Sequence, residues 1–127
     1  MENNSISFND QFRLRTKKFA IDLCRFLKTI PPKELTKDLI RQNFRSGTSV
    51  AANFRAACRA RSDAEYYAKL CIVVEECDET VFWLELLEEL TSSNNENLND
   101  LLTEANELLY VFSSTKKKLK GKIYKNK

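Results

Sequence analysis

The sequence predicts an all-α protein that folds as an antiparallel up-down-up-down four-helix bundle. The chain has 127 residues, a length that fits a single domain. Only 2 Gly and 2 Pro interrupt it, which is too few for an architecture of strands and tight turns. Apolar residues make up 43% of the chain and recur at helical intervals in four segments, so short connections should join antiparallel neighbours.

The first two helices are separated by Pro31-Pro32. We expect the first from Phe12 to Ile30, where the prolines stop it. The second should begin between Lys33 and Thr36 and run to about Ala60. Its apolar stripe alternates steps of four and three residues, as bundle helices do, through Ile40, Phe44, Gly47, Ala51, Phe54 and Cys58. A mid-helix Gly costs about 1 kcal/mol relative to Ala, so another backbone should come close to it.

Two capping boxes predict the start of the last two helices. Ser62 and Glu65 have the spacing in which a hydroxyl and a carboxylate each accept a backbone N–H of the other residue, and the helix they open should reach Leu90. Ser93 and Glu96 repeat the pattern before the fourth helix, whose apolar face continues to Leu119. The expected organisation is a flexible N-terminus over 1–11, the bundle over 12–119 and a basic mobile tail over 120–127.

The residue inventory argues against enzymatic chemistry. Histidine, the commonest general base and zinc ligand, is absent from the sequence. The 4 cysteines are scattered through apolar helical patterns without metal-ligand spacing, so buried reduced thiols are expected. We therefore predict no catalytic residue, no cofactor and no metal site. The chain shows neither an export signal nor a membrane-spanning run, which predicts a cytoplasmic protein with no membrane partner.

Charges are strongly separated along the chain. Basic residues dominate the first half, acidic residues dominate from Ser62 to Phe112, and the last 15 positions, 113–127, carry lysines and no acid. On the second helix, four arginines fall within an arc of about 80°, adjacent to the apolar face. We call Arg41, Arg45, Arg55 and Arg59 the arginine row. Arginine suits bidentate phosphate contact, so this row, with Lys17 and Lys18, is the predicted nucleic-acid surface.

Two other interpretations of these charges stay open. The arginine row could instead pair with the acidic residues of the third helix, within the bundle or on a neighbouring subunit. The lysine-rich end from Lys116 to Lys125 suits loose, salt-sensitive attraction to RNA or DNA, or it is simply solvated.

The third helix has more apolar residues than one buried face can hold. We call the surplus set, Phe82, Trp83, Leu86 and Leu90, the outer set of the third helix. A lone bundle covers one face of each helix, so large apolar groups elsewhere predict an interface with further subunits. The alternative is that Trp83 lies beneath the loop between the third and fourth helices.

Several segments together resemble a known bacterial family. They are Arg45–Asn53, Arg59–Ser62, Glu65-Tyr66, Glu75–Thr80 and Trp83–Leu86. Over roughly residues 12 to 119 the chain resembles the four-helix-bundle proteins of 23S ribosomal RNA intervening sequences, which are similar to the accessory variability determinant of diversity-generating retroelements. The resemblance implies a homopentameric barrel with a basic surface. For the retroelement branch it implies binding to nucleic acid and to a reverse transcriptase, and it implies no catalytic residues.

These observations lead to one principal functional hypothesis. The protein is expected to be a non-enzymatic homo-oligomeric module that binds RNA or DNA electrostatically, with a reverse transcriptase as a partner that the resemblance implies. The alternative hypothesis is a protein–protein adaptor whose charges serve only self-assembly and partner docking.

Overall fold

The computed structural model describes residues 6–91 and 95–124, which form four helices and no strand. In chain order these are α1 (Phe8–Leu27), α2 (Thr36–Ala57), α3 (Asp63–Thr91) and α4 (Glu96–Tyr124). Each helix packs against two others, and α4 closes back on α1, so one core lies between all four. The predicted all-α four-helix fold is confirmed.

The contacts between helices show that neighbouring helices are antiparallel. On α2, Asn43 bonds to Trp83 of α3, while Ser46, further along α2, bonds to Thr80, which comes earlier in α3. Because partner numbers fall on one helix as they rise on the other, α2 and α3 are antiparallel. The same relation holds between α1 and α4, where Phe8 meets Phe112 and the later residue Arg15 meets the earlier Glu104.

Four apolar residues of α1 that recur at helical intervals are buried, but the predicted stripe of α2 is partly wrong. Phe12, Phe19, Leu23 and Phe26 of α1 are all buried. On α2, however, Phe44 is 52% exposed, while the polar residues Asn43 and Ser46 are fully buried. Both polar residues form hydrogen bonds across the bundle to α3, Asn43 through Nδ2, while its Oδ1 accepts no hydrogen bond among the described residues.

Gly47 is buried because α1 packs directly on it. A Cβ added to Gly47 would lie 2.1 Å from Leu23 Cδ2 and 3.7 Å from Phe19 Cε2. The close approach predicted at this glycine therefore exists, but a side chain of α1 makes it, and not a second backbone.

Helix ends extend beyond the predicted bundle limits of 12 and 119. Ser7 caps α1, since its Oγ accepts from the backbone N–H of Asp10 at 3.1 Å, so residues 8–11 are helical. At the other end, α4 continues through Tyr124, whose ring centroid lies 6.2 Å from that of Tyr67 in an edge-on contact. Lys122 also pairs with Asp63 at 3.3 Å, so α3 contacts the last turn of α4, and residues 120–124 are helical.

Local caps define α3 and α4. Ser62 Oγ accepts from the N–H of Glu65 at 3.0 Å as predicted, although the Glu65 carboxylate accepts from Arg61 N, one residue before the cap. Ser93 of the second predicted box lies outside the described residues. Asn95 Oδ1 instead accepts from the N–H groups of Asn97 and Leu98. Within the described ranges, no helix has the length and apolar character needed to cross a membrane.

Candidate functional site

The outer set of the third helix is only partly covered by its own chain. Phe82 is 50% and Leu90 51% exposed, whereas Trp83 and Leu86 are half-buried and pack against the core. The opposite side of α3 packs in the core, where residues such as Leu84 are wholly buried. The helix is therefore apolar on both sides, and half of the outer set faces solvent.

Carboxylates surround this exposed apolar surface. Phe82 lines a shallow groove of about 520 Å³ together with acidic residues of α3, including Asp78 and Glu85. Glu89, beside Leu90, is also exposed. The surface that α3 presents is thus apolar at its centre and negative at its edges, a chemistry that suits a protein partner and repels phosphate.

The arginine row is exposed along its whole length and lies opposite the buried face of α2. Arg41 stands nine residues from the buried Val50, about 180° around α2, and Arg45 and Arg55 each stand five residues from it, about 140°. Arg59 lies two residues beyond the end of α2. The predicted position adjacent to the apolar face is therefore wrong. The reason is the shifted register of α2, whose burial is centred on Val50 rather than on the stripe through Phe44 and Ala51.

Members of the arginine row differ in their partners. Arg41 bonds to Asp38 within its own helix. Neither Arg55 nor Arg59 has a carboxylate within 4.0 Å in the part of the chain that the structure describes. Two guanidinium groups therefore remain exposed and uncompensated at the C-terminal end of α2.

Arg45 is the member that joins α3, as the alternative interpretation predicted. Its guanidinium bonds to Glu79 Oε1 and lies 3.7 Å from Glu76 Oε1. Trp83 Nε1 donates to the same Glu79 oxygen at 3.1 Å, and these two donors, the indole first, lower the pKa of the Glu79 carboxyl. Burial instead raises the pKa of Glu76, whose Oε1 accepts no hydrogen bond from residues 6–91 and 95–124.

The structure separates Lys17 from Lys18. Lys18 Nζ pairs with Asp22 at 2.6 Å and lines a groove of about 810 Å³ between α1 and α4. Lys17 is rotated by about 100° around α1, is exposed, and has no carboxylate within 4.0 Å among residues 6–91 and 95–124. Lys18 therefore faces α4 and does not join the arginine row.

Ion pairs of Arg15, which we call the Arg15 clamp, join α1 to α4 beside that groove, and we call this contact the α1–α4 seam. Arg15 donates from Nε and Nη2 to the two carboxylate oxygens of Glu104, each at 2.7 Å, and also lies 2.6 Å from Glu107. Its guanidinium carbon stands 5.1 Å from the centroid of the Phe12 ring. The hydrogen bonds to Glu104 are the main cause of a raised Arg15 pKa. The clamp gives α1 and α4 a fixed contact, and it leaves the groove with charges of both signs.

The sequence-based prediction does not single out two exposed aromatic residues, Phe44 and Tyr110. The predicted apolar stripe of α2 places Phe44 in the core. Asn43 is buried instead because it contacts α3, and the sequence of α2 alone does not show this contact. Tyr110 of α4 is 73% exposed. It follows the buried Leu108 by two residues, about 200° around the helix, so the period of α4 already places it outside.

All four cysteines are free thiols, but only Cys77 is buried. Burial raises its pKa to about 12, so the thiol is protonated and unreactive at neutral pH. In the described segments, no cluster of three cysteine or carboxylate side chains has the arrangement of a metal site.

Comparisons with known proteins agree with this architecture. Residues 11–114 match the family model described as 23S rRNA-intervening sequence protein. The chain is also similar to a crystal structure from Bacteroides thetaiotaomicron, of a protein with unknown function from the S23 ribosomal protein family. That similarity has 29% identity and a TM-score of 0.73, and it covers 83% of this chain and 97% of the other. The search of curated proteins found no match.

Proposed function

The chain belongs to the 23S rRNA-intervening sequence protein family, and from this premise we propose that it is a non-enzymatic module that self-assembles and binds RNA or DNA electrostatically. The family description itself assigns no activity to this chain. The proposal rests on how the described residues distribute exposed charge and exposed apolar area.

The observation that carries nucleic-acid binding is the uncompensated charge of Arg55 and Arg59. Acidic residues are abundant on α3, yet among the residues that the structure describes Arg45 is the one member of the arginine row that pairs with them. Arg55, Arg59 and Lys17 stay exposed and without a carboxylate at ion-pair distance in the described part of the chain. Guanidinium groups of this kind bind phosphates through bidentate hydrogen bonds and release counterions, without reading sequence.

Self-assembly is supported by the half-exposed Phe82 and Leu90. Large apolar side chains on one helix face are removed from water when a second copy covers them. The resemblance supports five copies in a closed ring, and a ring would place the cationic surfaces of all subunits in a repeating array. A reverse transcriptase as a further partner is supported by the resemblance alone.

Binding to labelled RNA and DNA tests the nucleic-acid part of the proposal. We expect the double variant Arg55→Gln/Arg59→Gln to weaken binding at low salt. We also expect it to reduce the slope of log K against log salt by about 0.7 to 0.9 for each phosphate that the variant no longer binds. The matched control is Arg45→Gln, because its guanidinium is already occupied by Glu79 and Glu76. Wild-type protein that binds neither nucleic acid at low salt would overturn the proposal.

A protein–protein adaptor is the second candidate, and the Arg45 contact to α3 is the observation that favours it. An adaptor uses its charges for assembly and docking. Arg45→Glu should then change the molar mass of the particle measured by light scattering, while Arg55→Gln/Arg59→Gln should leave every binding property unchanged. The nucleic-acid module therefore predicts the larger effect for the double substitution of Arg55 and Arg59, whereas the adaptor predicts the larger effect for the substitution of Arg45.

A further inference from the structure

The C-terminal half of α4 carries a strip of aromatic and cationic side chains that the arginine row does not include. Tyr110 is 73% exposed, and in the described part of the chain its ring has neither a stacking partner nor a hydrogen bond. Such an exposed aromatic ring offers a flat apolar face to solvent. It is available to any ligand with a complementary face.

Five lysines follow this tyrosine along α4. No Asp or Glu occurs after Glu107. Lys122 pairs with Asp63 at 3.3 Å, but no carboxylate lies within 4.0 Å of the other lysines of α4 among the described residues. Those other lysines are Lys116, Lys117, Lys118 and Lys120. Their charge exceeds the roughly half negative charge that the dipole places at the end of a helix.

The helical period aligns the strip. Lys117 follows Tyr110 by seven residues, which places it on the same side of α4 at a distance of about 10 Å along the axis. Tyr124 follows by fourteen residues, about 21 Å along the axis, and it packs edge-on against Tyr67 of α3. Aromatic rings therefore stand at both ends of the strip, with Lys117 between them, and Lys118 and Lys120 lie about 80° to either side of Tyr110 around the helix.

We propose that this strip binds single-stranded nucleic acid, with a base stacked on Tyr110 and a phosphate held by Lys117. The inference rests on the proposed nucleic-acid function, and it adds a second surface and a class of substrate. Stacking requires a base whose face is free, which a single strand offers and a duplex does not. The strip differs from the surface around Phe82, where carboxylates would repel the same ligand.

Fluorescence anisotropy with two RNA probes tests the strip. One probe is a labelled oligouridylate of about 20 nucleotides and the other a labelled duplex of the same length. We expect Tyr110→Ala to weaken binding of the oligouridylate at least about fivefold, while duplex binding stays within about twofold of wild type. Tyr110→Phe should bind like wild type, because it keeps the ring and removes only the hydroxyl.

The lysine contribution is tested by salt dependence. Lys117→Gln should lower the slope of log K against log salt by about 0.7 for the single-stranded probe. The matched control is Lys122→Gln, whose charge is already paired with Asp63. An unchanged slope for Lys117→Gln would overturn the assigned phosphate contact.

The remaining outcomes separate this inference from the proposed function. If wild type binds both RNA probes and Tyr110→Ala binds the oligouridylate equally well, the strip is overturned while the proposed function stands. If Tyr110→Ala changes the molar mass measured by light scattering, the tyrosine belongs to a subunit contact and the strip is likewise overturned. If wild type binds neither RNA probe, the strip is overturned, and the proposed function is overturned as well only when DNA is not bound either.

Discussion

The indole N–H of Trp83 and the guanidinium of Arg45 donate to the same atom, Oε1 of Glu79. Trp83 belongs to the outer set of the third helix, and Arg45 belongs to the arginine row on α2. One carboxylate oxygen therefore connects the outer set of the third helix to the arginine row. Because both donors act on one acceptor, the charge state of Glu79 affects α2 and α3 together.

Replacing Glu79 should change how stability depends on acid. Its pKa is lowered by the bonds from Trp83 and Arg45. A lowered pKa stabilises the folded state above the unfolded pKa, and this contribution is lost as pH falls through the folded value. Glu79→Gln should therefore be less stable than wild type at about pH 7, and the difference should shrink towards about pH 3. Urea unfolding at fixed protein concentration measures it; a difference that is independent of pH would contradict the assignment.

Glu76, three residues earlier on α3, should behave in the opposite way. Burial raises its pKa, so its contribution is fully present below the unfolded pKa and is lost as pH rises through the folded value. Glu76→Gln should be more stable than wild type at about pH 7 and equal to it in acid. The two variants serve as controls for each other, since both remove one carboxylate that faces Arg45. Shifts of the same sign in both would show that only net charge matters.

The sequence was sufficient for the fold but not for the pairing of charges. The apolar faces of α1 and α4 follow the helical period, and the Ser62 cap is local, so these features could be predicted from neighbouring residues alone. Asn43 and Ser46 are buried because α3 supplies their partners, and this information is distant in sequence. The same holds for Arg45, whose partners Glu76 and Glu79 lie on α3.

Gly47 should tolerate even one added methyl poorly. The Cβ of Gly47→Ala would lie 2.1 Å from Cδ2 of Leu23, a side chain that is fully buried and has little room to move. Overpacking of this kind costs about 1–3 kcal/mol, and better helix propensity returns about 1 kcal/mol, so a net loss of up to about 2 kcal/mol is expected. Chemical denaturation measures this change in the free energy of unfolding.

Gly121 provides the matched control for that substitution. It is also helical, but a Cβ added there meets nothing within 4 Å. Gly121→Ala should therefore stabilise the protein by up to about 1 kcal/mol through helix propensity alone. If Gly47→Ala stabilises by the same amount, Leu23 can move aside and the close packing of α1 on α2 is not limiting.

The Arg15 clamp should contribute measurably to the stability of the α1–α4 seam. Its two bonds to Glu104 are charge-assisted, and both side chains are only about a quarter exposed, at 26% and 29%. Arg15→Ala should lower the free energy of unfolding by about 1.5–3 kcal/mol, partly because Glu104 and Glu107 lose the cation between them. The control is Arg13→Ala, since the exposed pair of Arg13 and Asp10 should contribute less than about 1 kcal/mol. Equal losses of unfolding free energy in the two variants would mean that the bidentate geometry does not stabilise the contact between α1 and α4.

Leu90 gives the most direct test of assembly. It is 51% exposed on the outer set of the third helix, so Leu90→Glu should leave the fold intact and place a charge where a second copy would pack. We expect light scattering to show a smaller molar mass for this variant than for wild type at the same concentration. Leu35, which is 55% exposed in the α1–α2 connection, is the control, and Leu35→Glu should assemble like wild type. Wild type that is monomeric at every concentration, or a Leu90→Glu particle of unchanged mass, would remove α3 as the surface through which copies associate.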